Sequence, residues 1–218
     1  MDGFRLVWGD MSFLLQGALK TVELAFLSLL IATALGLLLG LCRVSHVALL
    51  RGISKTYVSI IRGTPLYVQI IFFHFGLIPL LLHKQIDPFL SGTIVLSLNA
   101  GAYLVEIFRA GIESIDKGQM EAGRGLGFTH GQTMRYIILP QAVKRMIPAF
   151  LNQFIISLKD TSLLAVIGVG ELTYSAQMMY SMNYRAFEYL ATIGVMYWII
   201  ITLLTLVSSR LERRMAQS

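Results

Sequence analysis

Two sets of polar residues recur at helical spacing inside otherwise apolar stretches. Asn99, Tyr103 and Glu106 stand at i, i+4 and i+7, and Gln153, Ser157 and Asp160 repeat that pattern, so each set shares one face of a helix. A carboxylate accepts from an ammonium group, whereas a carboxamide both donates and accepts. Asp160 therefore suits an ammonium ion and Asn99 the head group of an α-amino acid. Glu106 and Gln153 complete the candidate binding set, with two bland readings beside them. Gln153 and Ser157 are also the residue types that join helices by hydrogen bonds, and Glu106 has Arg109 and Arg62 as candidate ion-pair partners. Lys159 points about 100° away from Asp160 around a helix; it either pairs with Glu106 or lies where the chain unwinds.

The elements that hold these residues are membrane spans. The chain has 218 residues, of which 56% are hydrophobic and only 14% charged, against about 25% charged in soluble domains. Such a chain has too little polar surface for water, and it is too apolar to be disordered. The single cysteine, Cys42, rules out a disulfide framework within the chain. Five stretches are long enough at 1.5 Å per residue to cross a hydrocarbon core of about 30 Å. They run from about 22–42, 64–82, 89–108, 147–170 and 189–209. The expected fold is an all-α membrane protein, one domain over 1–218, with the segment 109–146 as its longest connection. Ionisable groups inside such spans cost roughly 2.5 to 3.5 kcal/mol each and face a bundle interior or cavity, which is why Glu106 and Asp160 stand out.

Lysine and arginine positions set the orientation. With five spans, the segments 43–65 and 109–146 and the C-terminus share one side and hold thirteen of these residues, while Arg5, Lys20, Lys84 and Arg185 lie on the other. The positive-inside rule makes the first side cytoplasmic, with the N-terminus outside. The excess of +6 is thus a topology signal, and nucleic acid need not be invoked. The first twenty residues carry Asp2 and Asp10 and lead into a full span, unlike a cleavable signal. Phe13-Leu14-Leu15 with Trp8 suggests an amphipathic piece lying at the interface.

The long cytoplasmic connection has local order. Thr129 and Gln132 fit a capping box, and a short helix from His130 to Leu139 would end at Pro140. Met134, Ile137 and Ile138 would line one side of it. That side could rest on lipid, pack on its own bundle, or dock into a partner's groove. Glu121-Ala122-Gly123, three residues, Gly127, nine residues, then Ile137-Ile138-Leu139-Pro140 resembles the EAA loop of ABC importer permeases, E-A-A-x3-G-x9-I-x-L-P, with Gly123 replacing the second alanine. Arg62-Gly63-Thr64-Pro65, Asn99-Ala100-Gly101-Ala102-Tyr103, Lys159-Asp160-Thr161-Ser162-Leu163 and Leu211-Glu212-Arg213-Arg214 are similar to the polar amino acid subfamily, the histidine, glutamine and arginine type.

The resemblance implies that the loop is a coupling helix inserting into separate ABC ATPase subunits, which carry ATP and Mg, while this chain needs no cofactor. It also implies an external amino acid binding protein that delivers the solute and residence in the bacterial cytoplasmic membrane, and because five spans are few to enclose a path, a second permease chain is expected, most simply in a homodimer. Asn99, Glu106 and Asp160 match positions that form an amino acid site in that subfamily. From the residues alone, Gly127 allows a positive φ or a close approach, Glu121 offers a charge to a cationic rim, and Gly123 costs about 1 kcal/mol against alanine if helical.

Other features carry less. His74, mid-span among Phe72, Phe73 and Phe75, reads either as a proton relay or, as a lone histidine more often does, as a satisfied packing residue, and Gly36 and Gly40 form a GxxxG that permits close helix approach. No phosphate-loop motif, H-E-x-x-H or G-x-S-x-G occurs, so the chain offers no basis for hydrolysing ATP or for a membrane-embedded hydrolase. An ion-coupled secondary carrier is the competing reading, since carriers also place charges at mid-membrane, but no internal repeat is visible.

Overall fold

The computed structural model describes residues 2–216, and every regular element among them is helical. Of Arg213 and Arg214 only the helical backbone is described. In chain order the helices are α1 (Asp2–Gly9), α2 (Met11–Val44), α3 (Ala48–Arg62), α4 (Leu66–Ile71), α5 (Ile78–Leu82), α6 (Pro88–Glu113), α7 (Lys117–Gly125), α8 (His130–Thr133), α9 (Leu139–Asp160), α10 (Leu172–Asn183) and α11 (Ala186–Ala216). A π-helical turn, Phe72–Leu77, joins α4 to α5, another, Met134–Ile138, joins α8 to α9, and a 3-10 turn, Thr161–Ile167, prolongs α9.

Four rods are long and apolar enough to cross a bilayer: Met11–Val44, Pro88–Glu113, His130–Ile167 and Ala186–Glu212. The fifth crossing is broken, because Ala48–Arg62 and Leu66–Leu82 meet at 103°. This differs from the loop expected over 43–65. Helix α3 runs alongside α6, with the Tyr57 hydroxyl donating to the Leu98 carbonyl at 2.6 Å and Val58 and Ile61 packed on Ala102 and Val105. Arg62, the last residue of α3, is therefore level with the middle of α6 rather than in a connection. The break follows from Pro65, which has no N–H and drives Thr64 out of helical conformation. Gln69 satisfies the groups so exposed: its Nε2 donates to the Ile61 carbonyl at 2.7 Å, the Thr64 carbonyl at 3.1 Å and Thr64 Oγ1 at 2.8 Å.

Pro140 does not end a helix, contrary to the expected stop. The rod from His130 continues through it to Asp160. A proline ring collides with the carbonyl four residues back in a regular α-helix, and a π turn relieves this by widening the helix. The Leu139 N–H reaches back five residues to the Met134 carbonyl. The same device precedes Pro79, where Ile78 N–H reaches the Phe73 carbonyl. The helix that carries span four thus begins some seventeen residues before Ile147, as a continuation of the loop helix.

Helices α2 and α6 form the centre of the bundle. The GxxxG of α2 is used within the chain: a Cβ on Gly36 would stand 2.7 Å from Leu104 Cβ, an approach that glycine permits, and one on Gly40 would make a tight contact, 3.3 Å from Phe108 Cβ. At the end opposite the basic segments, Leu14 is buried with Val7, Leu172, Ala176 and Tyr189. Phe13-Leu14-Leu15 is accordingly the first part of the long span α2, not a separate interfacial piece; Trp8, on α1, is exposed. Helix α10, which hydropathy did not indicate, packs between α2 and α11.

Candidate functional site

Asn99 is buried on α6 and donates to Gln69 Oε1 at 3.1 Å. It thereby ties span three to the break in span two. Glu106 lies two turns further on, with Oε2 accepting from Arg109 Nη2 at 2.8 Å and Nε at 2.9 Å. Its Oε1 is 3.4 Å from Arg43 Nε, and both atoms are buried without a hydrogen-bond partner. The partners are Arg109 and Arg43, then, and neither Arg62 nor Lys159 pairs with Glu106 among the described residues. Gln153 is buried, with its Nε2 3.4 Å from Ser157 Oγ on the same helix. Asp160 is half-buried at the end of α9, where the helix tightens: Thr161 Oγ1 donates to the Leu158 carbonyl and Ser162 Oγ to the Lys159 carbonyl, each at 2.7 Å. No hydrogen bond or ion pair among the described residues joins any two of Asn99, Glu106, Gln153 and Asp160.

A cavity of about 420 Å³ opens between α6 and α9. Its charged and polar wall consists of Arg62, Tyr103, Glu106, Ser114 and Arg145. Arg62 lies over the Tyr103 ring with its Cζ 5.0 Å from the centroid, a cation–π distance. Arg145 is held by the Ser114 carbonyl. The volume is within the range of small-molecule sites, and the wall holds charges of both signs.

The loop motif forms a compact unit. Asp116 caps α7, accepting from Gly118 N at 2.6 Å. Helix α7 closes with a left-handed Gly127, φ +89°, in which Phe128 N donates to the Gly123 carbonyl at 3.2 Å and Gly127 N to the Arg124 carbonyl at 3.0 Å. That is a Schellman stop, and it needs glycine for its φ alone, since a Cβ at 127 would meet nothing within 4 Å. Both bonds of the Thr129–Gln132 capping box are present, at 3.3 and 2.8 Å. Gly123 is buried against Thr133 and Ile137. Ile138, with Met134 and Ile137 against it, packs on Ile115, Ala142 and Met146. Of the three uses open to this apolar side, packing on its own bundle is the one realised. Leu139 is half-buried, whereas Glu121, Ala122 and Pro140 are exposed. A different apolar set is presented outward: Leu126 at 78% exposure, Tyr136 at 63% and Phe128.

One buried carboxylate escaped the sequence reading. Glu171 is 0% exposed and caps α10, accepting from Tyr174 N at 2.7 Å, Thr173 N at 2.9 Å and the Tyr197 hydroxyl at 2.9 Å. Burial pushes its carboxyl pKa up, against the downward pull of these donors. An acidic residue before a helix is an N-cap signal, but α10 is too short and polar for a span-based reading to register it. His74 is the packing residue expected: Nδ1 is 2.7 Å from Ser91 Oγ and the ring meets Phe75 edge-on.

Known proteins identify the architecture. The model of the family described as "binding-protein-dependent transport system inner membrane component" matches residues 32–217. The chain belongs to that family. It is 41% identical over 209 residues to the glutamine transport system permease protein GlnP of Escherichia coli (strain K12), covering 96% of this chain and 95% of that one. It is 38% identical over 203 residues to the arginine transport system permease protein ArtQ of Bacillus subtilis (strain 168), covering 93% and 92%. The crystal structure of an amino acid ABC transporter with histidines superposes with a TM-score of 0.92 at 36% identity, over 97% of this chain and 98% of that one. Inward-facing forms of the MetNI methionine ABC transporter share the fold at 21% identity and a TM-score of 0.78. This family member is a multi-pass transport component rather than an enzyme, and the ion-coupled carrier reading finds no support in these likenesses.

Proposed function

We propose that the chain is the membrane-spanning permease subunit of an ATP-driven ABC importer for polar, cationic amino acids. The observation that carries this reading is the outward apolar set Leu126, Phe128 and Tyr136 on the loop motif of a binding-protein-dependent transport component. Apolar side chains clustered on a polar, basic connection mark a docking surface. ABC ATPase subunits dock there and hold the ATP and Mg. The basic end is cytoplasmic, the C-terminus with it, and the N-terminus is external. Five crossings enclose too little space for a path, so two copies of the chain pair, and an external binding protein delivers the solute.

The continuous rod from His130 to Asp160 gives the coupling its mechanics. Thirty residues of helix extend about 45 Å, so a push on the loop end by a closing ATPase dimer is delivered to Asp160 as a rigid displacement. Alternating access follows from that movement. In the pathway Asp160 and Glu106 receive the ammonium groups, and Asn99 and Gln153 fix the walls from which they project. Glu106 Oε1 faces Arg43 Nε at 3.4 Å without a hydrogen bond, so an arriving ammonium group takes the place of that cation. Glu121, Ala122, Gly123, Gly127, Ile137, Leu139 and Pro140 shape the coupling unit.

Copurification tests the docking. Leu126→Asp with Tyr136→Asp is expected to release the ATPase subunits while the chain stays folded in detergent. Full retention of the ATPase by the double variant would remove the basis for this surface.

A further inference from the structure

Histidine is the commonest protein ligand for transition metals, and two of the four histidines in this chain meet although they are far apart in sequence. His46 stands in the turn between α2 and α3, and His130 is the first residue of α8. Their ring centroids are 6.3 Å apart, with the planes at 62°. Both residues are exposed, and neither ring takes part in a hydrogen bond or ion pair among the described residues, whereas the buried His74 is satisfied by Ser91. The ring nitrogens of His46 and His130 are therefore open to a ligand.

We infer that His46 and His130 bind one zinc ion between them, and that this ion clamps the loop helix to the turn between α2 and α3. Two imidazoles on one zinc at about 2 Å, with near-tetrahedral angles, have their ring centroids roughly 5 Å apart. Rotation of two exposed side chains covers the difference of about 1 Å from the observed separation. Both backbones are fixed in advance. Arg51 Nη1 donates to the Ser45 and His46 carbonyls, each at 2.9 Å, and Ser45 Oγ accepts from Val47 N at 3.1 Å. On the other side, the capping box of Thr129 fixes the start of α8. Imidazole ligands select zinc, copper or nickel over magnesium and calcium, and zinc imposes no geometry of its own on a site with few protein ligands. No group of three metal-ligating side chains occurs among the described residues, so water completes the shell and the ion is an exchangeable one, not a structural component. Among the described residues no hydrogen bond or ion pair joins residues 45–47 to α7 or α8, so the ion supplies a tie that this joint otherwise lacks. Its consequence for transport rests on the reading of the rod from His130 to Asp160 as the moving coupling element: a rod tied at its first residue to the end of α2 cannot follow the ATPase subunits, and zinc inhibits uptake.

Calorimetric titration of the transporter complex with zinc tests the site, using tag-free protein in nanodiscs that has been stripped with a chelator. The wild type is expected to bind one zinc per permease chain beyond what the double variant His46→Ala with His130→Ala binds. Each single variant is expected to weaken that binding at least tenfold, because one imidazole does not replace two, and magnesium is expected not to compete. Equal zinc binding by the wild type and the double variant, with both eluting as intact complexes on size exclusion, overturns the site. ATP-driven uptake of labelled L-arginine and L-glutamine in proteoliposomes tests the clamp, each variant being compared with its own zinc-free rate. Zinc is expected to inhibit the wild type reversibly, with chelator restoring uptake, and the double variant is expected to need at least tenfold more zinc for the same inhibition. Equal zinc sensitivity of the two overturns the clamp. A zinc-free wild type that takes up neither amino acid contradicts the permease reading instead, while the calorimetry still decides the site.

Discussion

Thr133 occupies the space into which a side chain on Gly123 would project: a Cβ there would stand 2.5 Å from Thr133 Cγ2 and 3.0 Å from Ile137 Cδ1. The one position at which the loop departs from the E-A-A pattern is thus explained by its neighbour. Alanine at this point is not the neutral or favourable change that helix propensity implies.

Gly123→Ala should destabilise the coupling unit by about 1 to 3 kcal/mol, the usual cost of overpacking. Gly125→Ala, where a Cβ would meet nothing within 4 Å, should be neutral or slightly favourable. Adding Thr133→Ala to Gly123→Ala should recover part of the loss. Thermal midpoints of the detergent-solubilised complex, together with ATPase copurification, separate these three outcomes.

Gly127→Ala should cost about 1 kcal/mol, because alanine resists the positive φ that the stop of α7 requires. Gly127→Asn should cost less, since asparagine tolerates that conformation. Comparable losses for both would argue that something other than φ fixes the position. The readout is retention of the ATPase during purification.

Gln69→Leu should destabilise the chain by about 1 to 3 kcal/mol for each buried group it strands. It strands the buried Ile61 carbonyl and removes the acceptor of Asn99. Asn99→Leu breaks one of these bonds and should cost less. Fluorescence-detected thermal unfolding orders the two.

Asp160→Asn should abolish uptake of cationic amino acids, or shift the preference to neutral ones, with the complex still assembled. Unchanged uptake and selectivity would return Asp160 to a structural role. Uptake of L-arginine against L-glutamine in proteoliposomes measures this.

Much of the fold was legible because apolar length is a strong signal. The crossings α2, α6 and α11 contain the expected runs, and the capping box at Thr129 and the GxxxG of α2 are used as their chemistry suggests. What escaped involves tertiary compensation. Arg51, Lys55 and Arg62 made α3 read as a connection, although Tyr57, Val58 and Ile61 embed it against α6. Pro140 reads as a stop unless the π turn before it is known. Glu171 is one acid before a short polar helix, and only burial by α2 and α11 distinguishes it. At the site, residue type and spacing pointed to Asn99, to Glu106 and to its pair with Arg109, but not to Gln69 and Arg43, which arrive from other spans.

The central claim is that transport through this chain is driven by ATP hydrolysed on a partner subunit. Proteoliposomes containing the permease, its ATPase and its binding protein, loaded in turn with ATP, with a nonhydrolysable analogue, or with only a sodium or proton gradient, test it directly. Uptake of a labelled amino acid is expected with ATP alone. Uptake sustained by an ion gradient without ATP or the ATPase subunits would contradict the account.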